Sequence, residues 1–477
     1  MVDQTSWKPH AILVAYPLQG HVIPSVHLAI KLASKGFTIT FVNTNYIHHQ
    51  TFQAHRSRDS ACSDPFAAVR DSGLDIRYTT VCDGLPLEFD RSLNHDQFMG
   101  SLLHVFSTHV EEVLGRIISS ACPPVTCLIA DTFFVWPATI AQKFGLLYVS
   151  FWTEPALVFT LYYHMHLLEK NGHFACPDPR GDTVDYVPGV AGIEPKDMTS
   201  YLQDTDTSSV CHQIISKAFQ EARGAHVVLC NTVHELEPYT ISALRPGIQF
   251  LAVGPIFPTG FSRSAVATSL WSESDCTHWL DARPRASVLY VSFGSYAHVT
   301  KSDLVEIANG LARSGVSFVW VLRPDIVSSE DADPLPVGYR EEIGDRAMVI
   351  PWCFQISVLA HPAIGGFLTH CGWNSILESA WCRVPMLCFP LLTDQFTNRK
   401  LVVDDWKIGI NLSDGKPITK EEVSENVIRL MSGKSGDEFR NRIGEMRTMM
   451  EAALTPGGSS EKNMDRFIAG LKASTQK

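Results

Sequence analysis

Short, continuous apolar runs recur along this chain and are separated by longer segments in which apolar residues return every third or fourth position. In the first half the runs are Ala11–Tyr16, Phe37–Asn43, Ile76–Val81, Val125–Ala130, Leu147–Phe151, Ala225–Cys230 and Phe250–Val253. In the second half they are Ser287–Phe293, Phe318–Leu322, Met348–Ile350, Gly365–His370 and Val384–Leu392. Runs without polar alternation predict strands buried on both faces of a parallel sheet. The helical spacing falls between them, at Ile23–Leu32, His95–Ile118, Ala156–Asn171, Glu421–Met431, Glu438–Leu454 and Glu461–Leu471. Strands alternating with helices predict an α/β, doubly wound fold. Residues Ile256–Ser274 are rich in Ser, Thr, Pro and Gly and separate the two series of runs, as a linker would. The expected division is a first domain over 1–255, a linker over 256–274 and a second domain over 275–455. A closing segment, 456–477, begins at the Gly457-Gly458 break. A chain of 477 residues suits two or three domains of ordinary size.

Composition narrows the function classes. The chain is 45% hydrophobic and 19% charged, which fits large buried cores. Its formal net charge of −11 argues against nucleic acid and anionic membrane surfaces as partners. An anionic ligand must then be held by local N–H groups. The 12 cysteines are scattered without Cys-x-x-Cys pairs, as free thiols of a reducing compartment are. His48-His49 and His370-Cys371 are adjacent pairs rather than metal-ligand spacings. Asp204–Asp206 and Asp331–Asp333 lie in loops without a preceding apolar strand, so no metal is expected there. The first residues lack a signal-peptide pattern, and the apolar stretches fall short of the ~20 residues that span a bilayer. A cytoplasmic protein without membrane insertion is expected, and nothing in the sequence requires more than a monomer.

The segment Trp352–Gln395 concentrates the chemistry. An apolar strand with glycines at its start ends at His370, Cys371-Gly372 turns the chain, and Asn374 and Ser375 read as helix-start residues. A helix N-terminus gathers free N–H groups and the positive end of the helix dipole, so it attracts phosphate. His370 can add a donor. Trp352 offers a flat face to a base, and Gln355 and Glu378 can take ribose hydroxyls. Asp394 and Gln395 follow another apolar run, at the carboxyl edge of the sheet where ligands gather, and suit sugar hydroxyls. The combination fits a nucleotide sugar.

In the first domain, His21 lies at the first strand-to-helix turn and Asp131 closes the Val125–Ala130 run. Each has a plain structural reading: a His bonding locally at a helix start, and an Asp capping the helix near Trp136. The opening strand-helix-strand carries no G-x-G-x-x-G, which leaves a nicotinamide-dependent dehydrogenase without support.

The 44 residues from Trp352 to Gln395 resemble the signature box of plant secondary-product glycosyltransferases (glycosyltransferase family 1). The match runs in order through W-x-x-Q, H-x-x-x-G-x-F-x-x-H-C-G-W-N-S, E, V-P and D-Q. The resemblance extends to Pro17–Pro24, similar to the family's catalytic-histidine turn, and to Cys127–Asp131, similar to the strand carrying its acidic partner. It implies a GT-B architecture, two Rossmann-like domains facing across a cleft that closes during catalysis, with a C-terminal helix packing back on the first domain. The implied reaction is inverting transfer from UDP-glucose to a hydroxyl or carboxyl of a small lipophilic plant metabolite, with no cofactor. By the resemblance, His21 is the general base and Asp131 its partner. Gly20, Thr153 and Ser295 flank the donor. Trp352 stacks on uracil, with backbone near Cys353 pairing its edge. Gln355 and Glu378 bind ribose; His370, Trp373, Asn374 and Ser375 hold the diphosphate; Trp373, Asp394 and Gln395 hold the sugar. A Gln at the position of Gln395 goes with UDP-glucose more often than with UDP-galactose. Two departures stand out. Cys353-Phe354 replaces the common Ala-Pro. Arg383 replaces a Gly, so that turn either puts Arg383 at positive φ or changes shape.

The rival reading is a catalytically silent UDP-sugar-binding protein, for which His21 and Asp131 would have no use. The acceptor stays open among phenols, terpenoid alcohols and carboxylates.

Overall fold

In a computed structural model the protein is described over residues 8–55, 64–257, 266, 268–327, 334–415 and 417–475. Most of the Pro- and Ser-rich part of the predicted linker, and the Asp331–Asp333 triplet, lie outside those residues. The chain forms two compact units. One contains Met1–Pro195, Asp204–Leu270 and Ala452–Lys477, the other Lys196–Gln203 and Trp271–Glu451. Within the span read as the first domain, the segment Lys196–Gln203 therefore belongs with the second unit.

The first unit is built on a parallel sheet of β1 (His10–Val14), β2 (Thr38–Thr44), β3 (Ile76–Val81), β4 (Cys127–Asp131), β5 (Leu147–Trp152), β6 (Val227–Cys230) and β7 (Phe250–Ala252). Their order is β3-β2-β1-β4-β5-β6-β7. β1, β2, β4 and β6 are buried at every position, as runs without polar alternation must be when helices cover both faces. The order reverses between β1 and β4, and it is at such a switch point that an α/β sheet opens a crevice at its carboxyl edge. The closing helix, Ser459–Thr475, buries Met464, Phe467 and Leu471 in this unit's core. Ser460 donates to Gly254 O at 2.5 Å, and Glu461 pairs with Lys31 and Lys35 at 2.9 and 2.7 Å.

The second unit repeats the plan with β8 (Val288–Ser292), β9 (Ser317–Val321), β10 (Ala347–Ile350), β11 (Ile364–Thr369), β12 (Met386–Cys388) and β13 (Gly409–Asn411), all parallel, ordered β10-β9-β8-β11-β12-β13. Its switch point lies between β8 and β11.

Two helix starts differ from the sequence expectation. The helix expected from Ile23 begins at Gln19 and runs to Ser34, so His21 stands in its first turn and Pro24 farther in. Leu18 O accepts the His21 and Val22 N–H groups at 2.9 Å each, which starts the helix without any side-chain cap. The helix whose start the sequence marks with Asn374 and Ser375 runs Trp373–Trp381, one residue earlier, with Gly372 as its N-cap. That shift puts both polar residues inside the first turn.

Arg383 follows this helix and takes φ +60°, so the turn keeps the left-handed geometry expected of Gly. A non-glycine residue there costs about 1 kcal/mol. Arg383→Gly is expected to raise stability by about that amount, read as a higher urea midpoint at unchanged m-value.

Candidate active site

The first unit brings three of the expected residues to neighbouring strand ends. His21 follows β1, Asp131 ends β4 and Thr153 follows β5, so all three meet at the carboxyl edge beside the switch point. His21 Nδ1 lies 2.7 Å from Asp131 Oδ2 and 2.9 Å from Thr153 Oγ1. Asp131 is 2% exposed, and its other oxygen accepts the Phe133 N–H at 2.9 Å. Both carboxylate oxygens are thus committed, and the carboxylate cannot swing away. Tyr16 and Phe133 rings lie 5.3 and 5.6 Å from the imidazole and wall it in. With Nδ1–H directed to Asp131, the imidazole holds the tautomer whose Nε2 carries a lone pair. Among the described residues Nε2 makes no hydrogen bond. Gly20 sits one residue earlier in the same helix turn. The expectation that Asp131 caps a helix near Trp136 is not met: the helix Pro137–Phe144 has Trp136 at its N-cap and no side-chain cap bond.

In the second unit the expected donor-site residues follow four strand ends: Ser295 after β8, Trp352 and Cys353 after β10, His370 after β11, and Asp394 and Gln395 after β12. His370 stands beside the switch point. A Cβ added at Gly294 or at Gly372 would lie 2.5 Å from His370 Nε2, so two glycines pass against one ring. Gly294 also has φ +74°. Desolvation, helped by the nearby Arg323 charge, pulls the His370 pKa down to about 4. At neutral pH it is a neutral imidazole, and it meets an anion as a hydrogen-bond donor rather than as a cation. Its Nδ1 is buried without a partner among the described residues.

Trp373, Asn374 and Ser375 form the first turn of the helix Trp373–Trp381. The Trp373 indole is buried and packs against Trp406, with ring centroids 6.1 Å apart. Gln355 Nε2 donates to Ser375 Oγ at 3.0 Å and to Glu378 Oε2 at 2.7 Å, and its Oε1 accepts from Tyr290 OH at 3.4 Å. The thiol of Cys353 is buried near Tyr290 OH, 3.5 Å away. Trp352 O accepts the Ser274 N–H at 2.9 Å. Asp394 accepts from Thr393 Oγ1 at 2.8 Å and from Asn398 Nδ2 at 2.5 Å, while Gln395 Oε1 caps the N–H groups of Leu391 and Leu392 at 2.9 and 3.1 Å.

Desolvation raises the Glu378 pKa to about 7, opposed by the Gln355 hydrogen bond. The folded value lies above the unfolded one, so the folded state holds the extra proton, and stability falls as pH rises from about 4.5 to about 7. Glu378→Gln mimics the neutral acid and should flatten that slope, a change of about 1–2 kcal/mol allowing for partial exposure. Melting temperatures of both proteins across pH 4.5 to 8 check it.

Arg323 was not anticipated from sequence. It is 1% exposed, donates to Gly294 O and to Ala297 O, the latter at 2.8 Å, and pairs with Asp325 at 2.9 Å. It thereby fixes the loop after β8 against which His370 rests. Its one sequence signal is an arginine directly after the apolar run Phe318–Leu322.

Comparisons with known proteins identify the family and the fold. Residues 272–446 match the family described as UDP-glucoronosyl and UDP-glucosyl transferase. UDP-glycosyltransferase 86A1 of Arabidopsis thaliana is 59% identical over 98% of this chain and 95% of its own length. The chain belongs to the plant UDP-glycosyltransferases. UDP-glycosyltransferase 86A2, also from Arabidopsis thaliana, is 60% identical over 97% of this chain and 94% of its own. Among solved structures, that of Phytolacca americana UGT2 complexed with UDP-2fluoro-glucose and pterostilbene aligns with a TM-score of 0.78. It is 25% identical, over 97% of this chain and 99% of that one. The fold class is accordingly the GT-B class of α/β glycosyltransferases, with two Rossmann-like units. Among the described residues of this glycosyltransferase, no group of three or more His, Cys, Asp or Glu is placed to hold a metal ion. No described helix is long and apolar enough to cross a membrane.

Proposed function

We propose that this glycosyltransferase transfers glucose from UDP-glucose, with inversion, to a hydroxyl or carboxyl of a small lipophilic plant metabolite. The observation that carries the reading is the pairing of the half-buried His21 with the buried Asp131 at the first unit's switch point, a 2.7 Å contact on Nδ1 that leaves Nε2 as a base. Nε2 takes the proton of the acceptor hydroxyl as its oxygen attacks the anomeric carbon. The bond from that carbon to the UDP oxygen breaks in the same displacement, which inverts the centre. Asp131 fixes the tautomer and stabilises the imidazolium that forms. Charge growing on departing UDP meets the first-turn N–H groups at Asn374 and Ser375, with His370 as a neutral donor. The reading assigns no cofactor, UDP-glucose being a second substrate.

The remaining assignments rest on position. Trp352 stacks on uracil with Cys353 backbone beside it. Gln355 and Glu378 take the ribose, whose diol either replaces the Gln355–Glu378 bond or uses the other Glu378 oxygen. Trp373, Asp394 and Gln395 hold the glucose, with Thr153 contacting the sugar, Ser295 near the diphosphate and Gly20 beside the donor. Support for glucose and a lipophilic phenolic acceptor comes from the ligands named for Phytolacca americana UGT2. A silent UDP-sugar binder would leave His21 and Asp131 idle.

Purified protein incubated with UDP-glucose and a panel of phenols, terpenoid alcohols and carboxylates is expected to release UDP and form a glucoside, followed by mass spectrometry. Turnover should persist after dialysis against EDTA. UDP-glucose binding without any glucoside would favour the silent binder, and no binding would remove the reading of Trp352–Gln395.

A further inference from the structure

Thr393, the residue before Asp394 and Gln395, has φ +56°. A β-branched residue in the left-handed region is strained and stays there only if its surroundings hold it. One serine holds both of its peptide groups. Ser200 N–H donates to Thr393 O at 3.0 Å, and Ser200 Oγ accepts the Thr393 N–H at 3.0 Å. Ser200 belongs to the Lys196–Gln203 segment, which the chain contributes to the second unit between Pro195 and Asp204. The segment is anchored a turn away. Thr397 Oγ1 donates to Asp197 O at 2.8 Å, and the Arg399 guanidinium pairs with the Asp197 carboxylate. Met198 and Leu202 are buried beside these polar contacts. From Thr393 the network continues through its hydroxyl to Asp394, from Asp394 to Asn398, and from Asn398 Nδ2 to Cys371 O at 2.9 Å, beside His370.

We propose that Ser200, anchored by Asp197, is a positioning residue for the donor sugar: it holds Thr393 in its left-handed conformation and so aims Asp394 and Gln395 at the hexose hydroxyls. The inference rests on the proposed sugar-binding role of those two residues. It places part of the sugar selectivity in a segment remote in sequence from the signature box. Releasing the Thr393 N–H lets the loop relax, which alters hydroxyl recognition and leaves the uracil and diphosphate contacts in place.

The test compares wild type with Ser200→Ala, Ser200→Thr and Asp197→Asn. It reads kcat and KM with UDP-glucose and UDP-galactose, Kd for UDP alone, and melting temperature. Ser200→Ala is expected to raise KM for UDP-glucose about fivefold to tenfold and to lower the glucose-over-galactose preference by a similar factor. UDP affinity should stay within about twofold, and Ser200→Thr, which keeps the hydroxyl, should restore the preference. A Ser200→Ala protein with unchanged sugar preference, whatever its melting temperature, overturns the proposal. A wild type that does not distinguish the two sugars overturns the reading of Asp394 and Gln395 itself, and the proposal with it. Asp197→Asn should shift the preference in the same direction and by less, because both Ser200 hydrogen bonds survive.

Discussion

Replacing His21 by Ala is expected to lower kcat for glucoside formation about 10³-fold while leaving UDP-glucose affinity within about twofold. The split follows from where the side chain sits. His21 belongs to the first unit, with its Nδ1 committed to Asp131 and Thr153, whereas the residues assigned to uracil, ribose and diphosphate lie after β8, β10 and β11 of the second. Removing the base takes away proton transfer and leaves the nucleotide contacts intact. Asp131→Asn tests the pairing separately. An amide at 2.7 Å from Nδ1 can offer its N–H and turn the imidazole to the other tautomer, placing a proton on Nε2 where a lone pair is needed. It should cost kcat by a factor approaching that of His21→Ala. Steady-state rates with calorimetric UDP-glucose binding check both. Loss of binding in His21→Ala in proportion to kcat would mean the residue serves the donor rather than the acceptor.

Gly294→Ala should weaken UDP binding on the order of 10- to 100-fold. Two costs combine. The backbone at φ +74° disfavours any Cβ, and the Cβ would lie 2.5 Å from His370 Nε2 and 2.6 Å from its Cε1. The ring has no room to turn toward Gly372, where an added Cβ would lie equally close to the same Nε2. The loop cannot yield easily either, since Arg323 bonds the carbonyls of Gly294 and Ala297. The displaced imidazole would lose its aim beside the helix start at Trp373. Gly315→Ala separates the two costs: φ there is +70°, but an added Cβ meets nothing within 4 Å. That control should lose stability and keep UDP affinity, as read by calorimetry and thermal melts.

Much of this was legible in the sequence, for a physical reason. Strands covered on both faces write themselves as apolar runs, and the residue that ends such a run stands at the ligand edge of the sheet. His21, Asp131, His370 and Asp394 were found that way. Helix starts were less legible. Neither Leu18 nor Gly372 offers a capping side chain, so the helices begin ahead of the residues that look like caps. The short β13, opening on Gly409, carries too little apolar sequence to be noticed. The region His95–Ile118 reads as one helix, yet breaks at Val105 into His95–His104 and Phe106–Ser120. Arg323 and Ser200 were invisible for a different reason. Their roles depend on the carbonyl or N–H they meet, which lies 29 residues away for Arg323 and 193 for Ser200. No local spacing records such a partner.

The configuration of the product tests the central claim most directly. Proton NMR of the glucoside, formed from UDP-glucose with its α-linked leaving group, reads the anomeric coupling. A single displacement driven by His21 predicts the β-glucoside, formed about 10³-fold more slowly by His21→Ala. An α-glucoside, or β-glucoside made undiminished by His21→Ala, would contradict the account.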